Sequence, residues 1–78
     1  MDIDVSALKA LVREKDLSYD VVVQTIEQAL LLAYHRTEGA APQARVQLDR
    51  KTGHVTVWAR EPDAEDGTPG REYDDTPD

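Results

Sequence analysis

The sequence predicts an α+β fold in which two antiparallel helices pack on a small antiparallel sheet. Two observations carry this. Apolar residues recur at helical spacing through roughly the first forty residues, and they switch to strict alternation after Ala44. The alternating stretch, ARVQLDRKTGHVTVWARE from Ala44 to Glu61, is interrupted once, at Asp49-Arg50-Lys51-Thr52-Gly53. Glycine adopts the left-handed conformation that closes a short hairpin loop without steric cost.

The first helix is expected over residues 4–15. Asp4 or Ser6 can cap it by accepting bonds from the first-turn amides. Val5, Leu8, Leu11 and Val12 follow at spacings of three and four and form one apolar stripe. Lys15-Asp16-Leu17-Ser18 is a short connection, with Ser18 as the next cap. The second helix is expected from about Tyr19 to Glu38. Val22, Ile26, Ala29, Leu30 and Ala33 make its main stripe, Val23 and Leu31 widen it, and Tyr34 lies near one edge. Asp20 in the first turn and His35 and Arg36 in the last complement the helix dipole. Gly39 and Pro42 stop the helix.

In the hairpin, Val46 and Leu48 share a face with Val55, Val57 and Ala59. His54, Thr56, Trp58 and Arg60 share the opposite face. The apolar face requires a cover, and the helix pair supplies it as the second layer. Glu72-Tyr73-Asp74 is the stretch that can supply a third edge strand.

Charge divides the chain in two. Residues 1–60 hold eight acids and eight bases. Residues 61–78 hold eight acids against Arg71 alone and so carry the whole net charge of −7. Beyond Arg60 the only hydrophobic residues are Ala64 and Tyr73, set among prolines and glycines. Such a composition buries too little to offset its ordering entropy, so 61–78 is expected to be a flexible acidic segment. The low pI belongs to that segment and does not exclude an anionic partner for the body.

Several classes of chemistry lack their residues. There is no cysteine, hence no disulfide framework or thiolate metal site. His35 and His54 have no ligand partners at metal spacing. Ser6 and Ser18 are capping residues, no glycine-rich phosphate loop is present, and Asp63 to Gly67 falls short of a calcium loop. No enzyme and no cofactor is expected. The longest apolar run, Ala29 to Tyr34, is far below the ~20 residues of a membrane span. With no charged leader before an apolar stretch, a soluble, cytoplasmic protein without membrane contact is expected. Binding remains. His35, Arg36, Arg50 and Lys51 are the candidate basic residues, able to form a modest patch or simply a solvated surface. Trp58 and Arg45 are candidate exposed contact residues; alternatively Trp58 packs over Arg45 across the strand pair, or under a third strand.

Two segments carry a family resemblance. One is Thr25-Ile26-Glu27-Gln28-Ala29-Leu30-Leu31-Leu32-Ala33-Tyr34-His35-Arg36, a long helix ending in an aromatic and a basic cluster. The other is the hairpin from Ala44 through Gly53 to Val57, Ala59, Arg60 and Glu61, with the pattern V-x-(L/I)-(D/N)-R-(K/E)-(S/T)-G. The opening helix and the ending Tyr73-Asp74-Asp75-Thr76-Pro77-Asp78 fit as well. The chain resembles the N-terminal domain of the bacterial transcription factor NusA, of actinobacterial type.

The resemblance implies a head, residues 1–60, that docks on RNA polymerase at the flap beside the RNA exit channel. It implies that 61–78 leads to downstream S1 and KH domains that this sequence does not contain. It also implies roles in pausing, termination and antitermination. His35 and Arg36 match the place where the family turns basic residues towards emerging RNA, with Arg50 and Lys51 secondary. Nascent RNA would be held weakly here, or through the absent domains. The alternative reading is a small protein-interaction adaptor that self-associates and has no nucleic-acid role. A direct RNA-binding module is a third reading, weighed against by the neutral body and acidic tail.

Overall fold

The computed structural model describes residues 1–77; Asp78, the last residue of the expected acidic segment, lies outside them. Two helices, α1 (Val5–Glu14) and α2 (Tyr19–His35), precede three strands, β1 (Ala44–Leu48), β2 (Val55–Arg60) and β3 (Glu72–Asp74). The strands form one antiparallel sheet in the order β1-β2-β3. The fold is the expected α+β arrangement, and the third edge strand is present.

The caps are those the sequence offers. Asp4 accepts from the Ala7 amide at 3.1 Å and starts α1. Ser18 accepts from the Val21 amide at 3.4 Å and starts α2. α2 ends at His35 rather than Glu38, because the chain turns through Thr37 into Gly39, whose φ is +83°. The connection between the helices closes on Asp16 at φ 54°, with the Leu17 amide bonded to the Val12 carbonyl. A short polar side chain tolerates that left-handed conformation better than most residues do.

The core runs along the inner sheet face in two contiguous groups. Leu8 and Val12 of α1 meet Val23, Leu48 and Val55 at one end. Tyr34, Ala41, Val57 and Ala59 fill the other. The helical stripes are rotated relative to the sequence expectation. Val23 is completely buried and Tyr34 is 4% exposed, whereas Ala29 and Ala33 face solvent. Val23 and Tyr34 are eleven residues apart, close to three full turns, so they share an azimuth. Burying the larger tyrosine ring over the sheet turns the two alanines outward. Leu11, expected in the α1 stripe, is 48% exposed, because α1 meets the core only along Leu8 and Val12.

The outer edge of β2 is occupied along its length by two separate segments. Near its start, the Val55 amide bonds to the Met1 carbonyl at 2.8 Å, and the Ile3 amide to the Gly53 carbonyl at 2.7 Å. Near its end β3 pairs, and the Asp75 amide continues the ladder onto the Val57 carbonyl at 2.9 Å. Thr76 Oγ1 accepts the Val57 amide at 2.9 Å. Residues 72–74 are therefore strand, and Asp75 and Thr76 stay hydrogen-bonded to β2 rather than forming a free tail. Backbone pairing holds them, not burial of apolar side chains, so composition gives no sign of it. Between the strands, the Ala64 amide bonds to the Thr68 carbonyl, and Gly70 donates to Asp63.

One buried hydroxyl ties three parts of the chain together. Tyr34 Oη donates to Asp75 Oδ2 at 2.7 Å and accepts the Ala41 amide at 2.8 Å. Burial raises the Tyr34 pKa above the ordinary phenol value, opposed by the Ala41 amide. The folded chain thus holds this proton more tightly than the unfolded one. The associated stability is present below the ordinary phenol pKa and is lost as pH rises through the raised folded value.

Two predictions follow from these contacts. A Cβ on Gly53 would lie 1.8 Å from the Ile3 carbonyl oxygen at a φ of +79°, whereas one on Gly39 meets nothing within 4 Å. In urea titrations Gly53→Ala is expected to lose about 3 kcal/mol, and Gly39→Ala only the ~1 kcal/mol of a left-handed alanine. Tyr34→Phe leaves the Ala41 amide without its acceptor and should lose about 1–3 kcal/mol. In an alkaline titration followed by phenolate absorbance, wild type should show a delayed step that this variant lacks.

Candidate interaction surfaces

The four candidate basic residues do not form one patch. His35 closes α2 and Arg36 is its C-terminal cap; both are exposed, with the His35 ring centroid 5.5 Å from that of Tyr34. Arg50 and Lys51 occupy the hairpin tip, which sits against the opposite end of α2. Arg50 is ion-paired with Asp20 in the first turn, and Tyr19 Oη donates to the Arg50 carbonyl at 3.0 Å. Seventeen residues of helix separate the two pairs, about 24 Å of axial rise.

The tip itself is built by Asp49. Its carboxylate accepts the amides of Lys51 at 2.8 Å and Thr52 at 2.9 Å, and these bonds hold its pKa below the usual carboxylate value. Asp20 occupies the Arg50 guanidinium, while Lys51, Arg36 and His35 have no acidic partner among the described residues.

Trp58 and Arg45 face each other across β1 and β2 on the sheet face away from the helices. The Arg45 guanidinium carbon lies 5.8 Å from the indole centroid. The Trp58 indole N–H donates to Gln47 Oε1 at 3.0 Å. Arg45 is held in turn by both oxygens of Glu72, at 2.9 and 3.3 Å, and this pairing lowers the Glu72 pKa. Trp58 is half-buried, so the tryptophan both packs on Arg45 and remains partly accessible. A depression of about 180 Å³ lies beside it, lined by Gln43, Ala44, Arg45, Arg60 and Glu72.

Two contacts escaped the sequence reading. The Glu27 carboxylate reaches from α2 to the Leu48 amide at 3.0 Å. A single acid within the apolar body of the helix, one turn before Leu31, is the sequence signal that could have marked it. The Tyr34 hydroxyl is the other, marked only by the eleven-residue interval from Val23. Among the described residues no group of His, Cys, Asp or Glu is placed to hold a metal ion. No described helix is long and apolar enough to cross a membrane.

The elements define a small α+β module, two helices and a three-stranded antiparallel sheet, with polar and aromatic groups on the open sheet face. Its sequence matches the NusA N-terminal domain over residues 5–66, and the chain belongs to that family. It is 47% identical over 77 residues to the transcription termination/antitermination protein NusA of Mycobacterium tuberculosis, covering 99% of this chain and 22% of that protein. The protein of the same name from Bacillus subtilis is 43% identical over 54 residues, covering 69% of this chain and 15% of the relative. The chain thus spans about a fifth of the length of the relatives it matches.

Because Arg36 and Lys51 are exposed and unpaired, Arg36→Glu and Lys51→Glu should each leave stability within about 0.5 kcal/mol of wild type by urea denaturation. A larger loss would contradict their placement.

Proposed function

We propose that this chain is the RNA polymerase-docking module of a NusA-type transcription factor. In this reading it contributes to pausing, termination and antitermination by anchoring the factor at the flap beside the RNA exit channel. The observation that carries the reading is 47% identity to a termination/antitermination protein across 99% of the chain. The module works by contact alone, without catalysis or cofactor, in the cytoplasm.

His35 and Arg36 at the C-terminal end of α2 are assigned the RNA-proximal position. Separation from the hairpin tip leaves Arg50 and Lys51 out of that site, and Arg50 is already neutralised by Asp20. Two free side chains give weak, salt-sensitive contact with phosphates. Firm RNA binding is assigned to other parts of the longer protein.

A second reading has its own observation. Val21 and Leu32 are 59% and 64% exposed, and with Ala29 between them they lie along the solvent side of α2. An apolar stripe of this kind favours a protein contact, including self-association.

The test is titration of the isotope-labelled domain with the isolated polymerase flap fragment. The docking reading predicts saturable, localised amide shifts, and little RNA affinity for the domain alone. Absence of shifts at hundreds of micromolar, with the domain folded and its mass rising with concentration, would put self-association in its place.

A further inference from the structure

The order β1-β2-β3 leaves two edge strands, and the five-residue β1 offers a longer open edge than the three-residue β3. The phase of the β1–β2 ladder is set by the Asp49 amide on the His54 carbonyl at 2.9 Å and the Arg60 amide on the Gln43 carbonyl at 3.0 Å. Residues 43, 45, 47 and 49 therefore bond towards β2, and Ala44, Val46 and Leu48 turn their amides and carbonyls away from it. Glu27 takes the Leu48 amide. The backbone groups of Ala44 and Val46 have no partner among the described residues.

The flank of α2 runs beside this edge. Glu27 stands at Leu48, and Leu31, one turn further on, packs with Ala44 and Val46 against the second core group. Residues four apart on a helix have side chains about 6 Å apart, and alternate residues of a strand are separated by about 6.7 Å. The two walls are thus nearly commensurate. A strand laid against β1 could place one side chain over Leu31 and the side chain two residues along at Glu27. Both Glu27 and Leu31 are half-buried, and Glu27 has no cationic partner among the described residues.

We propose that the β1 edge and the Glu27–Leu31 flank of α2 bind an extended peptide segment of a partner protein as a fourth strand. The segment carries an aliphatic residue over Leu31 and, two residues away, a lysine or arginine against Glu27. Main-chain bonds to Ala44 and Val46 attach it, and the two side chains select it.

A second copy of this chain fits poorly. Two-fold pairing through Ala44 and Val46 alone sets Arg45 against the same arginine of the other copy, and like charges directly opposite destabilise a strand pair. Centring the pair on Val46 instead requires the Leu48 amide, which Glu27 holds.

The test titrates the labelled domain with the blocked peptide Thr-Val-Thr-Lys-Thr and with its counterpart in which glutamate replaces lysine. The expected result is saturable amide shifts centred on Ala44, Val46 and Leu31, with the lysine peptide bound about fivefold more tightly. Glu27→Gln should bring that ratio close to one. Val46→Pro removes an outward amide at an edge position that accepts proline, and should abolish the shifts. If Val46→Pro does not fold, the Glu27→Gln comparison decides alone. The proposal is overturned by absence of saturable shifts in the folded wild type, by equal affinity for the two peptides, or by shifts gathered at Trp58 instead. Concentration-dependent doubling of mass through β1 without peptide would overturn it too, assigning the edge to a second copy.

Discussion

Val55, Val57 and Ala59 are at most 2% exposed, and the other elements are placed by contact with the strand that carries them. β1 pairs along one side of β2; the N-terminal residues and β3 divide the other side. α2 lies over its inner face through Val23 and Tyr34. A two-stranded hairpin is marginal alone. Here residues 1–3 and β3 complete its outer side, which lets 78 residues without cysteine build a core. Gly53 sits where this closure is tightest, since the chain beginning at Met1 passes over it with no room for a side chain.

This closure also divides the surface. The helix layer takes one sheet face and leaves Arg45, Trp58 and Glu72 on the other as a bonded group. The two ends of α2 are kept apart, with the hairpin tip locked to one end and His35 and Arg36 presented at the other. With β2 paired on both sides, the open backbone of the sheet is limited to the outer side of the short β3 and to β1. Glu27 covers one of the three outward amides of β1 and so limits uncontrolled pairing while leaving a short edge available.

Much of this was legible in the residues. The caps at Asp4 and Ser18, the hairpin closing on Gly53 and the inward face of β2 all follow from local chemistry, which acts within a few residues. The Arg45–Trp58 contact was legible as one of three options, because cross-strand pairing follows once the turn is fixed. What the sequence hid is non-local. The azimuth of α2 depends on how Tyr34 fits over the sheet, and the periodicity of an apolar helix rich in alanine and leucine leaves that azimuth undetermined. The order in 72–76 comes from backbone bonds to β2 and from the Tyr34–Asp75 contact, neither of which hydropathy records. Arg50 and Arg36 read as neighbours only if the hairpin tip is taken to meet the wrong end of α2.

Amide hydrogen exchange on the folded domain tests the closure of β2 most directly. A closed β2 exchanges slowly on both sides of the strand, at Val55 and Ala59 facing the terminal segments as well as at Thr56 and Trp58 facing β1. Ala44 and Val46, whose amides point away from β2, exchange fast. Protection of Thr56 and Trp58 with rapid exchange at Val55 and Ala59 would mean that the outer edge of β2 is open in solution, and would contradict its closure by residues 1–3 and β3.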